Sequence, residues 1–153
     1  MKIALGADHG GFELKRVVHQ YLEEKGHFVL NQGTDGPAAV DYPDYAEKVG
    51  KAVASGEAER GIMICGSGVG ACVAANKVPG VRAGLCHDTF SAHQGVEDDD
   101  VNLLCLGARV IGPNLALEII ACWLNAKFSN ADRHVRRKDK VLDLEKRFSR
   151  KDG

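Results

Sequence analysis

Gly61-Ile62-Met63-Ile64-Cys65-Gly66-Ser67-Gly68-Val69-Gly70-Ala71-Cys72-Val73-Ala74-Ala75-Asn76-Lys77 is the stretch that decides the fold. Gly61 to Cys65 reads as a strand, Gly66 to Gly70 as a turn, and Ala71 to Lys77 as a helix stopped by Pro79-Gly80. A strand with no polar alternation is covered on both faces, which in a chain of alternating strands and helices means a parallel sheet.

The same alternation extends in both directions. Lys2 to Ala7 is a strand closed by Asp8-His9-Gly10-Gly11. Phe12 to Lys25 repeats at helical spacing, with Phe12, Val17, Val18, Tyr21 and Leu22 on one face and Gly26 as the C-cap. His27 to Leu30 is a second strand, and Tyr42 to Ala54 a helix with Tyr45, Val49, Ala52 and Val53 inward. Val81 to Cys86 and Val101 to Leu106 are further strands. A helix beginning at Pro113 runs to about Lys127. The expected architecture is a three-layer α/β/α, Rossmann-like domain over residues 1–153, with a five-stranded parallel sheet. A charged C-terminal helix, Asp132 to about Arg150, has few apolar residues and is expected to pack on a partner subunit.

With 153 residues, 44% of them hydrophobic, the chain suits one ordinary domain. A formal net charge of −1 offers no general field for nucleic acid. No apolar run is long enough to span a bilayer. The first residues turn polar by Asp8, too soon for the apolar core of a signal peptide. The five cysteines, at 65, 72, 86, 105 and 122, include no C-x-x-C pair. A reducing, cytosolic compartment is expected.

Open parallel sheets bind ligands beyond the carboxyl ends of their strands. That rule selects Asp8-His9, Cys65-Gly66-Ser67, Cys86-His87-Asp88 and Gly107-Ala108-Arg109. Gly66, Gly68 and Gly70 let backbone amides approach an anion, and Cys65 beside those amides is placed to be a thiolate. The same spacing also serves a tight turn with a buried, inert cysteine. It is not a P-loop, because no Gly-Lys-Ser/Thr follows. Arg133 and Arg137, four apart on one helix face, can grip one phosphate, or belong to a solvated basic helix with Arg136, Lys138 and Lys140. The run Glu97-Asp98-Asp99-Asp100 could ligate a metal, orient hydroxyls or be solvated. His19, His27 and His134 read as surface or packing residues, and Cys72, Cys105 and Cys122 as core fillers.

Taken together, Gly6-Ala7-Asp8-His9-Gly10-Gly11-Phe12, Asp41-Tyr42-Pro43, Cys65 to Gly70, Ala74-Ala75-Asn76-Lys77, Asn102, Gly107 to Gly112, and Arg133-His134 with Arg137 resemble the ribose-5-phosphate isomerase B / galactose-6-phosphate isomerase family. The resemblance implies aldose–ketose isomerisation of a phosphorylated sugar through an enediolate. It implies a homodimer, sometimes paired into a tetramer, with the site completed across the interface, and no metal or organic cofactor. By that resemblance Cys65 shuttles the proton between carbons, and Ser67, usually Thr in relatives, bonds the reacting oxygens. The amides of Gly66, Gly68, Val69, Gly70 and Ala71 stabilise the enediolate. Asp8, Tyr42 and Asp99 bind substrate, and His9, Arg109, Arg133 and Arg137 hold the phosphate. Relatives typically carry His where this chain has Asp98, and that His opens the furanose ring. Asp98 could do so only where like charge keeps it protonated, and Glu97, Asp99 and Asp100 supply such charge. Alternatively His93 or His87 opens the ring, or the substrate has no ring. Ribose 5-phosphate is the expected substrate, with a tetrose 4-phosphate or hexose 6-phosphate as alternatives. A flavodoxin-like binding module would share the sheet without needing Cys65 beside the turn and the paired arginines.

Overall fold

In the computed structural model, which describes residues 1–149, the central strand is β3, Arg60–Cys65. It pairs in parallel with β1 (Lys2–Ala7) on one side and β5 (Leu103–Gly107) on the other. β2 (Phe28–Gly33) and β4 (Ala83–Leu85) form the edges, giving the order β2-β1-β3-β5-β4. Alternation along the three inner strands sends successive residues to opposite layers. Ile3, Leu5, Ile62, Ile64, Leu104 and Leu106 meet α1 (Phe12–Glu24), α4 (Thr89–Asp99) and α5 (Pro113–Asn125). Ala4, Met63, Cys65, Leu103 and Cys105 meet α2 (Tyr42–Ala54) and α3 (Val69–Ala75). The result is the three-layer α/β/α fold with helices on both faces. α6 (Asp132–Phe148) lies outside these layers, against α4. Arg150, the expected end of that helix, lies outside the described residues.

Several boundaries differ from the sequence reading for identifiable reasons. β2 runs on through Asn31 and Gln32 because an edge strand tolerates polar residues. β4 is shorter than Val81 to Cys86. The Asn76 side chain takes both the N–H and the carbonyl of Ala83, and Asn102 accepts the Arg82 N–H, in place of a longer ladder. α5 stops at Asn125, where the Arg60 guanidinium donates to the carbonyls of Trp123 and Ala126. α4 carries too weak an apolar period to be assigned from sequence. Its local signal is Asp88 at the N-cap, whose carboxylate accepts the Ser91 N–H at 2.7 Å. On α1 the inward face is Leu14, Lys15, Val18 and Leu22, whereas Val17 is 37% exposed.

That correction is measurable. Leu22→Ala should lower unfolding free energy by about 2–5 kcal/mol, as a large-to-small core change does. Val17→Ala should stay within about 0.5 kcal/mol of wild type in urea denaturation.

Candidate active site

The chain winds toward β2 after β1 and toward β5 and β4 after β3, so the crevice at the carboxyl ends of β1 and β3 is the switch point of the sheet. A cleft of about 360 Å³ opens there, lined by Asp8, His9, Gly10, Tyr42, Cys65, Gly66, Ser67, Gly70, Arg109 and Val110. A groove of about 680 Å³ along α2 is larger, but exposed charged side chains such as Asp44, Glu47, Lys48 and Lys51 line it, with no nucleophile.

The glycine turn shapes the cleft. Gly68 has φ +78°, and a Cβ there would lie 2.8 Å from the Leu106 carbonyl carbon and 3.0 Å from the Gly107 nitrogen. A Cβ on Gly70 would sit 2.6 Å from the Tyr42 ring. Both positions therefore admit only glycine without displacement of neighbours. The turn brings the Gly68 N–H to Cys65 Sγ at 3.1 Å, and the Val69 N–H to Ser67 Oγ at 3.1 Å. Cys65 is buried except toward the cleft, with an amide donor aimed at its sulfur. Asp8, also buried, accepts the Gly11 N–H on Oδ1 at 3.1 Å and retains its second oxygen for a ligand. His9 Nδ1 lies 3.2 Å from both the N–H and the carbonyl of Val40. The Arg109 guanidinium lies over Gly66 and makes no ion pair among the described residues, so it is available to an anion.

The sequence-selected residues thus divide. Asp8, His9, Tyr42, Cys65, Gly66, Ser67, Gly70 and Arg109 meet in the cleft, with Gly68, Val69 and Ala71 in the adjoining turn and first turn of α3. Asp98, Asp99, Arg133 and Arg137 do not line it. Asp98 Oδ2 accepts from Gln94 Nε2 at 2.9 Å, and Oδ1 lies 3.4 Å from Nε2 of the buried His134. Asp99 borders a separate groove with Arg82 and Lys138, and Arg133 and Arg137 are exposed on α6. Asp100 pairs with Lys138 and Arg82, and Glu97 with His93, so the acidic run is dispersed among separate partners. Among the described residues no group of three or more His, Cys, Asp or Glu is arranged to hold a metal ion, and no helix is long and apolar enough to cross a membrane. Gly10 and Val110 also line the cleft; both fall within the stretches that carry the family resemblance, though neither was assigned a role.

His87 and Asp88, chosen by the same strand-end rule, lie outside the cleft. Asp88 caps α4, and the Ser91 amide holds its carboxyl below the usual range. His87 Nε2 accepts the Gly107 N–H at 2.9 Å, and burial pushes its pKa down. An unfolded imidazole takes a proton near pH 6.5, and folded His87 only at lower pH. Its contribution to stability is complete above about 6.5 and disappears as pH falls through the lower, folded value. His87→Gln, whose side-chain carbonyl can still accept from Gly107, should therefore lose less Tm than wild type between pH 7 and pH 5, read by thermal unfolding.

Residues 3–141 match the model of the family described as Ribose/Galactose Isomerase. The ribose-5-phosphate isomerase B of Escherichia coli is 43% identical over 146 residues, 95% of this chain and 97% of that protein. The D-erythrulose-4-phosphate isomerase of Pectobacterium atrosepticum is 45% identical over 130 residues, 84% of this chain and 85% of the relative. The solved structure of Clostridium thermocellum ribose-5-phosphate isomerase B superposes with a TM-score of 0.95 at 48% identity, covering 97% of this chain and all of that one. A thiol beside an amide-rich glycine turn, in a fold and sequence shared over nearly the whole length, places this chain in the ribose/galactose isomerase family.

Proposed function

We propose that the chain is a sugar-phosphate aldose–ketose isomerase converting ribose 5-phosphate and ribulose 5-phosphate. The observation that carries the reading is Cys65 Sγ, 3.1 Å from the Gly68 amide, in a cleft that also presents Asp8, His9, Ser67 and Arg109. The Cys65 thiolate removes the proton from C2 of the open-chain aldose. The electron pair of that C–H bond forms the C1–C2 double bond, and the carbonyl pair moves onto O1, giving an enediolate. The Cys65 thiol returns the proton to C1 while a hydroxyl proton passes between O2 and O1. Ser67 Oγ and the amides of the glycine turn bond the reacting oxygens as charge develops on them. Asp8 and Tyr42 orient the sugar, and His9 and Arg109 take the phosphate.

One guanidinium and one imidazole beside an aspartate are a modest complement to a phosphate dianion. Arg133 and Arg137, exposed and remote from the cleft in their own chain, supply the remainder from a second copy. Val110 in the cleft lining, Val69 and Val73 on α3 and Phe90 on α4 leave exposed apolar side chains, and Val141, Leu144 and Phe148 leave an apolar stripe on α6. These surfaces favour a homodimer in which residues 1–153 form one domain and α6 packs on the partner. Pairing of dimers into a tetramer remains compatible with this arrangement. The cysteine pattern of the sequence favours the cytosol.

Cys65→Ala should abolish turnover in a coupled isomerase assay while a sugar phosphate still binds. Arg133→Ala and Arg137→Ala should chiefly raise KM, each losing about 1.5–3 kcal/mol as charge-assisted contacts. Mixing either arginine variant with Cys65→Ala should regenerate activity through heterodimers. No recovery despite proven subunit exchange would place all these groups in one subunit.

A second reading, a tetrose 4-phosphate as substrate, is favoured by Asp98 and by the 45% identity to an erythrulose-4-phosphate isomerase. A tetrose phosphate cannot close a furanose, because O4 carries the phosphate, and so needs no ring-opening acid. On this reading Asp98→His raises kcat/KM on ribose 5-phosphate more than on a four-carbon substrate. An ordinary rate on ribose 5-phosphate that Asp98→Asn leaves unchanged would remove Asp98 from ring opening.

A further inference from the structure

Lys15 has no place in the chemistry above, yet its side chain is only 3% exposed. An ammonium withdrawn from water is costly, and an apolar side chain of similar volume commonly serves a core equally well. The Lys15 ammonium is not solvating a core void. Its Nζ donates to Asn31 Oδ1 at 2.7 Å and to Asp35 Oδ1 at 2.9 Å. Asn31 Nδ2 also donates to Asp35 Oδ1, and Asn31 Oδ1 also accepts the Gly33 N–H. Asn31 stands where the β1–β2 register slips, Leu5 pairing with Asn31 and Gly6 with Gly33. One residue on, the Thr34 N–H donates to the carbonyl of Ala7, the residue before Asp8. The ammonium and the Asn31 amide hold the Asp35 carboxyl below its usual range.

These contacts all fall where the chain leaves β2 to begin the 34–41 loop. The far end of that loop reaches the cleft. Val40 holds the His9 imidazole through its backbone, and the loop delivers Tyr42 at the start of α2, where its ring fills the space above Gly70. Both cleft residues therefore depend on the path of one eight-residue connection that has no ladder of its own.

We propose that the Lys15–Asn31–Asp35 cluster is a positioning clamp that fixes the 34–41 loop and thereby sets His9 and Tyr42 for the substrate. Lys15 acts through the loop and touches no reacting atom. The proposal rests on the isomerase reading for its kinetic consequence, but its structural consequence is independent of that reading.

Asp35 is the accessible handle, because its side chain is 72% exposed and its replacement removes no packed apolar group, while Lys15 keeps its bond to Asn31. Asp35→Ala should raise KM for the sugar phosphate roughly tenfold, with kcat changed much less, as loss of a charge-assisted contact that orders a binding loop would do. In a His9→Ala background the same substitution should raise KM by clearly less than in wild type, since only the route through Tyr42 remains. Lys15→Met should reproduce the KM effect where it folds. The activity-independent readout is the ring-nitrogen NMR signal of His9, which should shift in Asp35→Ala and leave the signal of His134, held against Asp98 and Ser129, in place. An unmoved His9 signal, or a KM effect that adds in full to that of His9→Ala, would overturn the clamp. If the wild-type chain turned over no sugar phosphate, the functional reading would fail while the His9 signal still decided the clamp.

Discussion

The cleft depends on one steric constraint, the approach of main chain to main chain at the carboxyl end of the sheet. Gly11 lies where a Cβ would overlap the Ile64 carbonyl, Gly107 where it would overlap the Ser67 carbonyl, and Gly68 against the Leu106–Gly107 peptide. These contacts draw the loops after β1, β3 and β5 together. Backbone bonds then fix them, from Asp8 N–H to the Ile64 carbonyl, from Ala108 N–H to the Cys65 carbonyl, and from Arg109 N–H to the Gly66 carbonyl. Asp8, Cys65 and Arg109 are neighbours because their backbones are, and the sheet supplies the rigidity that keeps them so.

This explains why much of the site was legible in the sequence. Buried strands of a parallel sheet have no use for a carboxylate, a thiol or a guanidinium, so such groups at strand ends mark the functional rim. The rule also selects His87 and Asp88, which serve a backbone amide and a helix cap instead. A strand-end position tells where a side chain begins and not what it reaches. Tyr42 was found through the family resemblance alone, since a helix start carries no such signal. Lys15 was invisible to a periodicity that reads every lysine as outward, because its partners Asn31 and Asp35 lie on an edge strand and a loop. Edge strands and loops escape hydropathy for a common reason. Side chains such as Asn76 and Asn102 replace ladder bonds there, and no periodic pattern announces them.

The division of the expected site residues into two groups has its own logic. Asp8, His9, Cys65 and Arg109 are held by the sheet. Asp98 stands on α4, and Arg133 and Arg137 stand on α6, the helix that packs on α4 outside the three layers. Among the described residues the two groups share no hydrogen bond or ion pair, and His134 joins α6 to α4 through Asp98 and Ser129 rather than to the cleft.

The charge balance bears on the same division. With a net charge of −1 the chain offers no broad attraction for a phosphorylated sugar, so binding must come from local cations. Among the residues lining the cleft Arg109 is the one permanent cation, and Asp8 stands with it. A second copy contributing Arg133 and Arg137 would turn this balance decisively positive. Those arginines gain little within their own chain, since exposed charges interact weakly in water. Across an interface that excludes water the same charges act at lower effective dielectric and bind phosphate more strongly. On the proposed reading, association and substrate binding are therefore coupled. In that arrangement a phosphate bridging two chains would stabilise the dimer, and the dimer would in turn create the phosphate site.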